Sequence, residues 1–227
     1  MLIVRGLIGG VFQLALFGSL LLIPAGTWDW PRAIQFLVAY GAVLLSSIVW
    51  LAVAAPSSLE ARLEPAINKK QPRADRMATA LIGLAVGAWF VFIPFDVFRL
   101  HLLPTPSLAV SRFGAVLGFA GFGFILTALY QNAFATPVVR EQSERGHVLV
   151  DTGLYGHVRH PFYTGFLVAL CGLALWLESY AAVLGSSLVL ASLVVRISVE
   201  EAHLADRLPG YSEYLRRVRY RLVPGLW

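Results

Sequence analysis

Six apolar runs decide most of what this chain can fold into. A helix needs about 20 mostly apolar residues to cross a bilayer, because the hydrocarbon is roughly 30 Å thick and each residue rises about 1.5 Å. The runs lie at about Gly6 to Ile23, Pro31 to Ala54, Met77 to Phe95, Ser111 to Gln131, Phe162 to Leu177 and Tyr180 to Val199. The fifth is short and meets the sixth across Glu178 and Ser179, so that pair reads as a tight helical hairpin. The expected fold is an all-α, polytopic integral membrane bundle with five to six transmembrane helices. Composition agrees: 58% of the 227 residues are hydrophobic and 14% charged, against averages of about 45–50% and 25% in soluble domains. The first run is longer than the roughly 7–15 apolar residues of a signal-peptide core, and it is read as a membrane helix.

The charges between the runs set an expected orientation, since cytoplasmic loops carry the excess of Lys and Arg. With the N-terminus inside, the inside segments hold Arg5; Arg62, Lys69, Lys70, Arg73 and Arg76; Arg140, Arg145 and Arg159; and Arg207, Arg216, Arg217, Arg219 and Arg221. Only Arg32, Arg99 and Arg112 fall outside, and Arg196 lies within the last run. Both termini and the polar segment 132–160 are therefore expected to face the cytoplasm, with the basic segments near membrane lipids. The formal charge of +5 is spread over these loops and forms no stripe, which argues against a nucleic-acid partner. A single cysteine, Cys171, excludes an intramolecular disulfide, and no Cys/His cluster has metal-site spacing, so no metal is expected.

Chemistry concentrates late in the chain. The run from Val138 to Tyr163 holds three histidines, three arginines, two tyrosines and three glycines beside the apolar hairpin. Pro161 suits the first position of a helix, which leaves His160 near the cap and the first-turn N–H groups directed at whatever binds there. At the end of the last run, Arg196, Glu200 and His203 are spaced four and three apart and share a helix face. Ionisable groups at such a depth are a functional-site hypothesis by default. The tail beyond them, with Tyr211, Tyr214, Leu215 and Val218 on one side and arginines on the other, reads as a short amphipathic helix along the membrane interface. Residues 1–131 thus form an N-terminal set of transmembrane helices, and residues 132–227 hold the candidate catalytic region.

The order of these pieces resembles the isoprenylcysteine carboxyl methyltransferase family, relatives of the phospholipid methyltransferases. The pieces are His147 to Val150, Gly153 with Tyr155, Arg159 to Pro161 with Tyr163, the hairpin, Glu200 with Glu201, and Tyr211 with Tyr214. The resemblance implies a membrane-embedded enzyme that transfers methyl from S-adenosyl-L-methionine to a lipophilic small-molecule or prenylated acceptor, by O-methylation of an isoprenylcysteine-like carboxylate. Carried over by position, it places cofactor contacts at His147, Val148, Leu149, Val150, Tyr155, His160, Pro161, Tyr163 and Glu200. Arg196 and Glu200 would be catalytic, with Arg196 orienting the acceptor, and Arg140 departs from the family's glutamine. The implied site is non-Rossmann, and the sequence has no strand followed by a G-x-G-x-x-G turn. A phospholipid amine or a small thiol remains open as acceptor, with His157 or His203 as candidate base. A membrane reductase using a nicotinamide cofactor is the alternative from another reaction class. A transporter would place polar residues in mid-span, and the first four runs are nearly free of them.

Overall fold

The computed structural model describes residues 1–54, 56–63, 67, 71–132 and 149–227, so Arg140, His147 and Val148 lie outside the described residues. Helices follow in the order α1 (Leu2–Ala25), α2 (Pro31–Ala54), α3 (Pro56–Arg62), α4 (Arg73–Phe95), α5 (Leu108–Gln131), α6 (Pro161–Trp176), α7 (Tyr180–Arg207) and α8 (Tyr211–Arg217). A π-helical turn, Asp96–Leu100, extends α4, and a 3-10 turn, Gly153–Gly156, precedes α6. The described residues form helices and no strand, the fold of a polytopic helical membrane protein. Among the described residues, five helices are long and apolar enough to cross a bilayer: α1, α2, α4 with its extension, α5 and α7.

The run expected as the fifth crossing is the 16-residue α6, about 24 Å at the usual helical rise. Pro161 fixes its start, and the reversal at Leu177 to Ser179 ends it, with Glu178 in the left-handed region at φ 68°. The next helix outruns its expected end at Val199. Its 28 residues make about 42 Å, more than the roughly 30 Å of hydrocarbon. About 12 Å of α7 therefore extends past the hydrocarbon, the length of about eight residues, as from Glu200 to Arg207.

Small residues let α5 and α6 touch backbone to backbone. Gly114, Gly118 and Gly121 face Gly165, Ala169 and Gly172, and a methyl added to Gly172 would lie 2.7 Å from the Gly118 Cα. In lipid, where water does not drive helices together, such close approach supplies the packing energy. Elsewhere α4 is the hub, packed on both α1 and α7. The Trp89 indole donates to the Ala182 carbonyl at 2.8 Å, and one buried cluster joins Leu21, Phe36 and Phe90 to Leu170, Leu173, Val189 and Leu222.

Hydrogen bonds sort the loops between two ends. At one end, Arg99 donates to the Pro24 carbonyl, Ser179 to Asp96, Arg32 to Glu178, and Ser111 to the Trp176 carbonyl. At the other, the ends of α5 and α7 and the starts of α4 and α6 converge, held by Gln131 with Leu154, Arg196 with Asp75, and His160 with Glu201. The tail closes over this second end. Tyr211, Tyr214 and Val218 pack on Leu149, Leu204 and Leu208 of the protein itself. The last residues then run back so that the carbonyls of Tyr220 and Arg221 accept the N–H groups of Arg159 and His160, both at 2.9 Å.

Candidate functional site

The convergence of four helix ends sets two adjacent carboxylates in different surroundings. Successive helical residues are rotated by about 100°, so Glu200 and Glu201 leave α7 in different directions. Glu201 turns inward. Its Oε1 accepts from Arg159 Nε at 2.6 Å and lies 3.1 Å from His160 Nε2, while Oε2 accepts from Arg221 Nε at 3.0 Å. Arg159 Nη1 also donates to the carbonyls of Val218 and Arg219. Glu201 is therefore the knot that ties the Arg-His-Pro turn to the tail.

Glu200 stays 22% exposed. It accepts the Tyr163 phenol at 2.9 Å, and the Arg196 Nε stands 3.8 Å from the same oxygen, Oε2. The His160 and Tyr163 rings stack with centroids 5.7 Å apart, which joins the Glu201 knot to Glu200. Pro161 opens α6 at its first position with His160 as its N-cap, as the sequence led one to expect.

Tyr155 reaches the same place from the 3-10 turn. Gly153 takes φ 59°, and a methyl there would come within 2.6 Å of the Gln131 amide, whose Oε1 accepts the Leu154 N–H at 2.8 Å. That close approach explains the glycine. The Tyr155 phenol donates to the Ala128 carbonyl at 3.4 Å, and its own carbonyl accepts the Tyr214 phenol at 2.8 Å. Burial pushes Tyr155 up to about 12; the Glu200 charge adds to the rise, and a hydrogen bond with Asn132 opposes it. Burial also raises Tyr211, helped by the charges of Glu201 and then Glu200, and raises Tyr214, helped by Tyr155. Three aromatic residues, Tyr155, Tyr163 and Tyr211, thus lie within the field of Glu200. Their phenols are neutral at physiological pH.

Arg196 is 1% exposed, and its Nη1 donates to Asp75 of α4, also 1% exposed. Thr79 Oγ1 lies 3.4 Å from the same nitrogen and donates to the Asp75 carbonyl at 2.9 Å, and Gln71 Nε2 donates to Asp75 Oδ2 at 2.9 Å. Arg196 thus stands between two carboxylates, Asp75 and Glu200.

Of the residues singled out from sequence, the structure brings Tyr155, His160, Pro161, Tyr163, Arg196 and Glu200 together. Leu149 and Val150 lie half-buried at the entrance to the 3-10 turn, Leu149 against the tyrosines of the tail. His147 and Val148 lie outside the described residues. His157 is exposed and His203 half-buried. Sequence reasoning missed Asp75, Gln131 and the part played by Glu201. The signal for Asp75 was present: an acid opening an apolar span needs a cation, and Arg196 lies deep within another.

Residues 122–206 match the isoprenylcysteine carboxyl methyltransferase (ICMT) family, which bears out the resemblance read from the motifs. The match contains Tyr155, His160, Tyr163, Arg196, Glu200 and Glu201; Asp75, Tyr211 and Tyr214 lie outside it. The chain is also similar to the protein-S-isoprenylcysteine O-methyltransferase of Schizosaccharomyces pombe, at 29% identity over 129 residues, which cover 52% of this chain and 55% of the relative. The match thus spans about half the length of that relative.

Proposed function

We propose that this chain is a membrane-embedded methyltransferase that uses S-adenosyl-L-methionine and methylates the carboxylate of a lipophilic, isoprenylcysteine-like acceptor. The observation that carries the reading is Glu200: a partly exposed carboxylate that accepts the Tyr163 phenol, set among neutral phenols inside the segment that matches the family.

The residues present fit such a donor. Its ammonium group suits the Glu200 carboxylate, an ion pair that gains strength away from bulk water. The aromatic faces of Tyr155 and Tyr163 suit a positively charged sulfur, and the apolar side chains of Leu149 and Val150 suit the nucleoside. When bound, S-adenosyl-L-methionine supplies a methyl group on a sulfonium, ready for in-line displacement.

What remains for the protein is positioning and exclusion of water. A carboxylate acceptor is already ionised at neutral pH, so no general base is needed, and Arg196 orients it by a charge-assisted hydrogen bond. A thiol or amine acceptor would have to lose a proton. The Nε2 of His160 is engaged by Glu201, which leaves the more exposed His157 and His203 for that task. The family match favours the carboxylate.

The positive-inside rule places the Glu200 end, with both termini, at the cytoplasmic face, where a water-soluble donor enters while a prenylated acceptor arrives from the bilayer. The test is transfer of labelled methyl from S-adenosyl-L-methionine to matched prenylcysteine, ethanolamine-lipid and thiol acceptors. Transfer to prenylcysteine above the others is the expected result. Transfer to another acceptor would replace the acceptor assignment, and nicotinamide dinucleotide binding without methyl transfer would replace the reaction class.

A further inference from the structure

Nothing in the methyl-transfer reading requires an acid on α4, yet Asp75 is one of the most deeply buried polar residues of the protein, at 1% exposure. We propose that Asp75 is a positioning residue for the donor site: by binding the Arg196 guanidinium it holds that cation back from Glu200, so that Glu200 remains open to a cationic ligand. The inference rests on the donor assignment made above.

Arg196 and Glu200 are an i,i+4 pair on one helix, a spacing at which opposite charges readily close to hydrogen-bond contact. Here they do not. The Nε to Oε2 separation is 3.8 Å, while Nη1 of the same guanidinium donates to Asp75. The acid is in turn fixed from its own helix: Gln71 Nε2 donates to Oδ2 at 2.9 Å, and the Thr79 hydroxyl bridges the Asp75 carbonyl and Arg196 Nη1 at 2.9 and 3.4 Å. Asp75, Gln71 and Thr79 all lie on or just before α4, so their hold on Arg196 is toward that helix. In a buried setting with little screening, a charge that loses its partner seeks the nearest opposite charge. Among the described residues, the other carboxylate beside Arg196 is Glu200, at 3.8 Å. A guanidinium closed onto Glu200 would neutralise the carboxylate proposed to receive the donor's ammonium.

This arrangement separates Asp75 from a simple structural brace. A brace predicts lost stability with affinity otherwise unaffected in the folded fraction. Positioning predicts lost donor affinity that depends on Glu200. The experiment is calorimetric titration of S-adenosylhomocysteine into the purified full-length protein and into the Asp75→Asn, Asp75→Glu, Thr79→Val, Glu200→Gln and Asp75→Asn/Glu200→Gln variants, with a melting curve for each. Asp75→Asn is expected to raise Kd at least about fivefold and Asp75→Glu to restore much of the loss. With Glu200 already neutral, Asp75→Asn should add no more than about twofold, since sites acting through one residue are not additive. An Asp75→Asn affinity within about twofold of wild type, or a loss that persists undiminished beside Glu200→Gln, overturns the proposal. If Asp75→Asn does not fold, Thr79→Val decides: weakened binding supports the proposal and unchanged binding overturns it. Failure of the wild-type protein to bind S-adenosylhomocysteine sinks the donor assignment and this inference with it, whereas wild-type binding with an unaffected Asp75→Asn sinks this inference alone.

Discussion

Glu200 and Glu201 are neighbours on α7 and carry opposite burdens: Glu201 holds Arg159, His160 and Arg221 at 2.6, 3.1 and 3.0 Å, while Glu200 accepts the Tyr163 phenol and remains 22% exposed. One carboxylate is used up in building the end of the bundle. The other is presented by it.

Neutralising the two should therefore separate folding from binding. Glu201→Gln leaves two arginines short of a shared partner, and breaking a buried ion pair costs about 3–5 kcal/mol. A large fall in melting temperature in detergent is expected. Glu200→Gln keeps the Tyr163 contact and should melt near the wild type.

Arg196→Ala is expected to weaken acceptor turnover more than donor affinity. Removing the guanidinium leaves Glu200 fully charged toward the donor but strips the acceptor of its orienting cation. Steady-state kinetics beside donor titration checks this, and an equal loss of both would contradict the role given to Arg196. The variant also strands Asp75 in a buried site, so a lowered melting temperature should accompany it.

The tyrosines give the second end of the bundle an alkaline limit. Tyr155 rises from the ordinary phenol value near 10 to about 12 in the folded protein, chiefly through burial. A phenol whose folded value is raised contributes stability that is fully present below about 10 and lost as pH climbs through 12. Tyr211 and Tyr214, raised by the same cause, act in the same direction. Tyrosinate absorbance should show a delayed fraction in the folded protein, and Tyr155→Phe should remove part of it.

Packing of α5 on α6 is expected to be intolerant of bulk. Gly172→Leu would drive a side chain into the backbone of Gly118, since even a methyl would meet its Cα at 2.7 Å. Overpacking costs typically about 1–3 kcal/mol, and the start of α6 carries His160 and Tyr163, so donor affinity should fall together with melting temperature. Substitution at Gly123, where a methyl meets nothing within 4 Å, is the control.

How much of this was legible in the sequence depended on which physical signal each feature left. Long apolar runs announce themselves one by one, because each spanning helix satisfies its own backbone; α1, α2, α4 and α5 lie close to where hydropathy put them. The Pro161 start of α6 was also local and therefore readable. The stop of α6 was legible too, since the run was expected to end at Leu177 and the helix ends at Trp176 after 16 residues; whether so short a helix crosses was not. The interlocking glycines of α5 and α6 need two segments compared at matched spacing before they mean anything. The Asp75 partnership joins residues 121 apart in sequence, and Arg62 to Arg76 read as a topology signal that masked the acid among them. Glu201 was visible only as half of a pair, since nothing in a sequence says which of two adjacent acids turns inward.

The central claim is that the polar turn before α6 and the acidic end of α7 make one donor site centred on Glu200. Calorimetric titration of S-adenosylhomocysteine into wild type and Glu200→Gln, with melting temperatures measured alongside, tests it most directly. The account predicts that wild type binds and that Glu200→Gln, folded to the same stability, binds at least about tenfold more weakly, a loss of about 1.4 kcal/mol. Equal affinity in the two proteins would contradict it.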